Sequence, residues 1–136
     1  MIVLVVIVLL VAWLATRRQA RRDALMNSRW QAMCARQMAE PGLHVVRMAS
    51  VYQRARRGSK AVIVWGTGYQ QDTWFAGNWP VPGSILMIRG TVGWGPHNNN
   101  PNVFYVEPDQ VICALPPGTE RAVARHQERQ ARSITR

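Results

Sequence analysis

The chain has 136 residues, with 17 Lys and Arg against 7 Asp and Glu and a formal charge of +10. Its 48% apolar residues exclude a disordered chain, its 10 Gly and 8 Pro exclude a collagen-like or linker composition, and its two cysteines exclude a disulfide-stapled scaffold. That length holds one small domain with appendages.

The charge is segregated. All basic residues but Lys60 are arginine, and the balance is +4 over residues 1–40, +5 over 41–60, −2 over 61–116 and +3 over 117–136. A nearly neutral centre is thus flanked by basic segments, which suit either phosphates of nucleic acid or anionic lipid.

Met1 to Ala15 is an unbroken apolar run, followed by Thr16 and then Arg17, Arg18, Arg21 and Arg22. A removable signal peptide carries its charge before the apolar stretch; here the order is reversed. The pattern predicts a retained transmembrane anchor over 1–16, with the N-terminus outside and residues 17–136 in the cytoplasm. Fifteen helical residues rise only ~22 Å against a hydrocarbon core of ~30 Å. Local thinning and snorkelling of Arg17 and Arg18 absorb that mismatch. A cleaved export signal and a buried soluble helix are the alternatives.

Residues 17–42 read as a basic helical stem, ended by Pro41-Gly42, with Asn27-Ser28 as a candidate break. Met26, Trp30, Cys34 and Met38 recur every four residues with Met33 beside them, a stripe suited to packing on the next domain or on a second copy. From 43 to 116 the pattern changes to five or six short β-type runs: 43–53, 60–65, 72–77, 84–92, 103–106 and 111–115. No room is left for βαβ crossovers, so the expected fold is an all-β small barrel.

The long first hairpin with the basic tip Arg54-Ala55-Arg56-Arg57-Gly58-Ser59, then VPGSILMIRGTV, then NVFYVEPDQVI, resembles an OB-fold-type small barrel at superfamily level, over about half the chain. An SH3-like barrel would show much the same residues. The resemblance implies a sharp bend at Gly90, and it implies that Arg54, Arg56, Arg57 and Lys60 lie on a loop that such folds use for ligand contact.

Eight aromatics fall in this segment: Trp65, Tyr69, Trp74, Phe75, Trp79, Trp94, Phe104 and Tyr105. Core and rim packing accounts for most of them, while exposed rings at Trp74, Trp79 and Trp94 beside the basic tip would form a stacking platform for bases. Catalytic patterns are absent. His44, His97 and His126 are scattered, Asp72, Glu107 and Asp109 suit turns and strand ends, and no HExxH, CxxC, GxSxG or phosphate-loop motif occurs. A non-enzyme is expected, with no metal, cofactor or small-molecule substrate, and with Cys34 and Cys113 as free thiols.

Residues 117–136 follow Pro116-Pro117-Gly118 as a basic helix with Thr119 as N-cap. Arg121, Arg125, Arg129, Arg132 and Arg136 share one face, either solvated or laid on anionic headgroups together with Arg17, Arg18, Arg21 and Arg22. The leading functional expectation is a single-pass, cytoplasm-facing membrane protein whose barrel is a binding or adaptor module for a protein partner or a second copy of itself. A membrane-tethered single-stranded nucleic-acid binder is the rival. A small accessory protein, of phage or mobile-element kind, that modulates a membrane complex is the third reading.

Overall fold

The computed structural model describes residues 1–92 and 102–135. Helix α1 (Ile2–Ala39) is continuous through Asn27 and Ser28, so the candidate break is not used. A polar pair can be carried without interruption when the turns on both sides are rich in Ala, Leu, Met, Gln and Arg. The helix stops at Glu40, and Gly42, with φ +81°, turns the chain into the sheet. Every large apolar side chain from Ile2 to Leu14 is exposed, and α1 is long and apolar enough to cross a membrane.

Strands β1 (His44–Ala55), β2 (Gly58–Val64), β3 (Gln70–Ala76), β4 (Ile85–Ile88), β5 (Thr91–Val92), β6 (Phe104–Val106) and β7 (Val111–Leu115) form one mixed sheet. Its order is β5-β6-β3-β2-β1-β4-β7, curled into a half-barrel. The β3–β6 pair is parallel and the others are antiparallel. Seven strands replace the five or six expected because the 84–92 run is split: β4 pairs with β1 and β7, whereas β5 pairs with β6. The split falls at Arg89-Gly90. A Cβ on Gly90 would lie 2.5 Å from Phe104 Cε1 and 2.6 Å from the Tyr105 carbonyl oxygen, so glycine is needed there for space rather than for an unusual φ.

Alternation along β2 and β3 sends Ala61, Ile63, Thr73 and Phe75 inward, where the two apolar residues and Phe75 join Val46, Met48, Leu86, Ile88, Phe104 and Val106 in the main core. Trp65 closes one end of it, with edge-to-face contacts to His44 and Phe104 at 5.0 and 5.1 Å and an indole hydrogen bond to Gln71. A second cluster lies outside the sheet: Met33 of α1 packs with Leu43, Ile85, Met87 and Leu115, flanked by Trp30, Val45 and Ile112. The packing role expected for the methionine stripe therefore falls on Trp30 and Met33, whereas Met38 is 90% exposed. Glu40 adds a polar tie, bonded to Arg36 and to Arg89 at the end of β4.

Helix α2 (Thr119–Ile134) begins one residue differently from expectation. Gly118, with φ +90°, takes the cap position, and the Thr119 hydroxyl donates back to the Pro116 carbonyl. Ala122 and Val123 are buried, and α2 packs along α1 instead of standing alone in solvent. The fastening is polar. Asp23 is fully buried and accepts hydrogen bonds from Gln19, Arg125 and Arg129. Arg125 beside it holds the carboxyl far below the usual carboxylate range, against the opposing effect of burial, with Arg129 and Gln19 adding to the same end.

Candidate functional site

Helix α1 covers the outer face of the sheet over β4, β7 and the start of β1. Among the described residues the helix–strand packing is mainly on β1 and β7, and the outer face of β2 and β3 carries Lys60 and Trp74. The β1–β2 turn is tighter than a six-residue loop: Ala55 pairs with Gly58, leaving only Arg56 and Arg57 between the strands. Arg54 therefore belongs to β1 and Lys60 to β2, with Arg54, Arg56 and Arg57 exposed.

The tip is buttressed from one side by residues 77–79. Gly77 N–H donates to the Arg57 carbonyl at 2.8 Å, the Ser59 hydroxyl to the Asn78 carbonyl at 2.9 Å, and the Trp79 indole N–H to the Ala55 carbonyl at 2.9 Å. These bonds seat Trp79 against the basic turn with 45% of its surface exposed. Trp74 lies opposite Lys60 in the β2–β3 register, half-buried on the outer face. Its ring edge rests over Gly58, where an added Cβ would come within 3.0 Å of Trp74 Cζ2. Lys60 and Trp74 thus share the outer face, Arg56 and Arg57 form the turn, and Trp79 is bonded at the base of that turn, whereas Arg54 pairs with the inward-facing Ser59. Trp94 and His97 lie outside the described residues, as does Arg136.

Tyr52, which sequence reasoning did not select, joins this surface with Asp72, which was expected in a turn or at a strand end and lies inside β3. Tyr52 donates from its hydroxyl to Asp72 at 2.5 Å. Its ring is 55% exposed, but partial desolvation of the hydroxyl and the Asp72 carboxylate push its pKa up to about 12. Irregularities in the β1 register on both sides of Val51 set the direction in which Tyr52 points. Simple alternation of hydrophobicity carries no signal for that.

The other aromatics divide cleanly. Phe75, Phe104 and Tyr105 are buried, Trp65 closes the core, and Tyr69 is exposed on the β2–β3 connection. Cys34 is half-buried and Cys113 exposed, both as free thiols. Among the described residues no group of His, Cys, Asp and Glu is placed to hold a metal ion. Glu107 serves a local role, exchanging hydrogen bonds with Gln110 across the 3₁₀ turn Pro108–Gln110.

The tail arginines have separate fates. Arg125 and Arg129 are engaged by Asp23, while Arg121 and Arg132 remain exposed. On the stem, Arg17 lies over the Trp13 ring at 4.0 Å. No protein-family model, curated protein or solved structure matches this chain.

Proposed function

We propose that the chain is a single-pass membrane protein whose α1 anchors an OB-like, non-enzymatic binding module facing the cytoplasm, and that this module takes single-stranded nucleic acid. The OB-like reading is supported by the strand pairing. Joining β4 to β5 and β6 to β7 across their bends leaves five strands, the third parallel to the fifth and the first antiparallel to the fourth. In such barrels the outer face of strands 2 and 3, with the loop joining strands 1 and 2, forms the ligand surface. Here that is the face carrying Lys60, Trp74 and the Arg54–Arg57 tip.

The observation that carries the ligand class is the seating of Trp79 and Trp74 against the basic turn. Cations alone would suit any anion. Indole rings fixed beside them add faces on which bases stack irrespective of sequence, while the arginines neutralise the backbone. A protein partner is the second reading, favoured by the Asp72 carboxylate on the same face and by the −2 balance of residues 61–116. The anchor and its orientation rest on the apolar run and the arginines that follow it.

The test uses the full chain in nanodiscs of neutral phosphatidylcholine, titrated with a fluorescent oligothymidylate at several salt concentrations. Affinity is expected to fall steeply with salt. Changing Arg54, Arg56, Arg57 and Lys60 together to Gln should shrink the log–log slope by about 3, at ~0.7 per phosphate contact for single strands. Trp79→Ala should cost ~1–3 kcal/mol per stacked base. No binding at low salt would discard nucleic acid as ligand and leave the protein-partner reading.

A further inference from the structure

Asp23 is the single carboxylate in residues 1–39, and the structure spends it inside the molecule, on Arg125 and Arg129. Among the described residues no acidic side chain pairs with Arg17, Arg18, Arg21 or Arg22. Helical spacing of ~100° per residue places Arg18, Arg21 and Arg22 about 100–160° around α1 from Asp23. Four cations therefore stand without a protein counter-ion just beyond the apolar run.

They are not equivalent. Arg17 is spread over Trp13. Arg18 and Arg22 stand one turn apart and, with Val11, Leu14, Ala15 and Gln19, line a groove of about 490 Å³ on the helix surface. Its residues are sorted along the helix axis, apolar toward the N-terminus and basic toward the sheet.

The geometry points to a binding site for one anionic phospholipid in this groove, its phosphate held between the guanidiniums of Arg18 and Arg22 and an acyl chain laid along Val11, Leu14 and Ala15. The inference rests on the reading of α1 as a membrane anchor. Arginine forks suit phosphate oxygens, and their long stems let them meet a headgroup while their backbone sits deeper. The occupant is set by complementarity in two respects at once: uncompensated positive charge at one end, lipid-facing aliphatic surface at the other. A soluble phosphate would satisfy only the first.

The full chain is reconstituted into phosphatidylcholine vesicles doped with spin-labelled phosphatidylglycerol or spin-labelled phosphatidylcholine, and the fraction of each label immobilised by protein is measured. A preference of about tenfold for phosphatidylglycerol is expected, lost in R18Q/R22Q and largely kept in R17Q/R21Q, and unaffected by millimolar inorganic phosphate. Resistance of α2 to trypsin confirms that R18Q/R22Q keeps its helix packing. Equal losses from the two pairs, or displacement by inorganic phosphate, would overturn the site. Insertion without any preference would overturn the site and leave the anchor standing, whereas failure to co-float with vesicles would overturn both.

Discussion

Replacing Arg125 and Arg129 together by Gln should loosen the docking of α2 more than the removal of Asp23 itself. The asymmetry follows from exposure. Asp23 has about 1% of its side chain exposed, whereas Arg125 and Arg129 keep 44% and 42%. Losing both arginines leaves a carboxylate at the α1–α2 contact without its charged donors. Asp23→Asn instead frees two guanidiniums that solvent can take up, at a cost of ~1–3 kcal/mol for the broken charge-assisted bonds. Hydrogen exchange of α2 amides, or the rate of tryptic cleavage at Arg121, reads the difference; equal effects from the two variants would contradict the burial argument.

The pH dependence of the same contact has a definite sign. With its folded pKa depressed, Asp23 contributes stability that is fully present above the ordinary carboxylate pKa of ~3.9 and is lost as pH falls below it. Docking of α2 should therefore be flat from neutrality to about pH 5 and weaken in stronger acid, and Asp23→Asn should remove that acid limb. In R125Q/R129Q the acid limb should shrink. Burial, then opposed only by the Gln19 hydrogen bond, acts to raise the Asp23 pKa, so protonation costs docking less as pH falls.

Gly58→Ala is expected to be the most damaging single methyl in the sheet. A Cβ there would lie 2.1 Å from the Phe75 carbonyl oxygen, a backbone atom that no rotamer change can move aside. Relief requires β2 and β3 to separate where Gly58 pairs with Ala76, next to the Lys60–Trp74 pair. A loss of about 3 kcal/mol or more, at the upper end of overpacking costs, is expected together with weakened oligonucleotide binding. Gly66→Ala serves as the control. Its added methyl meets nothing within 4 Å and its φ is not positive, so its stability should change by less than ~0.5 kcal/mol. Thermal unfolding of the two variants in the same detergent makes the comparison.

What the sequence made legible was local. The apolar start of α1, its end at Pro41-Gly42, and the limits of β7 follow from breakers and hydrophobic period, and each was found within a residue or two. The basic tip was visible as a charge cluster. Three features depended on residues far apart in sequence and were invisible for that reason. Arg125 and Arg129 showed their shared helical face, but their partner Asp23 lies 102 and 106 positions earlier. Trp79 is placed by an indole bond to Ala55, 24 residues away. The bend at Gly90 was expected from the resemblance, but not that it would hand the 84–92 run to a second partner, β6, where Phe104 and Tyr105 approach Gly90. A helix as poor in apolar residues as α2 gave little hint that it would pack, because ion pairs to the buried Asp23 carboxylate fasten it alongside Ala122 and Val123.

In the proposed orientation α1 holds the sheet at the inner face of a membrane, and Cys113 reports on that directly. It is the exposed thiol on β7, whereas Cys34 on α1 is half-buried. Partial burial pushes the Cys113 thiol up from its usual range, so labelling belongs in a mildly alkaline buffer. With Cys34 changed to Ser, a membrane-impermeant maleimide applied to intact cells should leave Cys113 unmodified, and should label it once the cells are permeabilised. Labelling of Cys113 in intact cells would place the sheet and its basic hairpin outside and contradict the account.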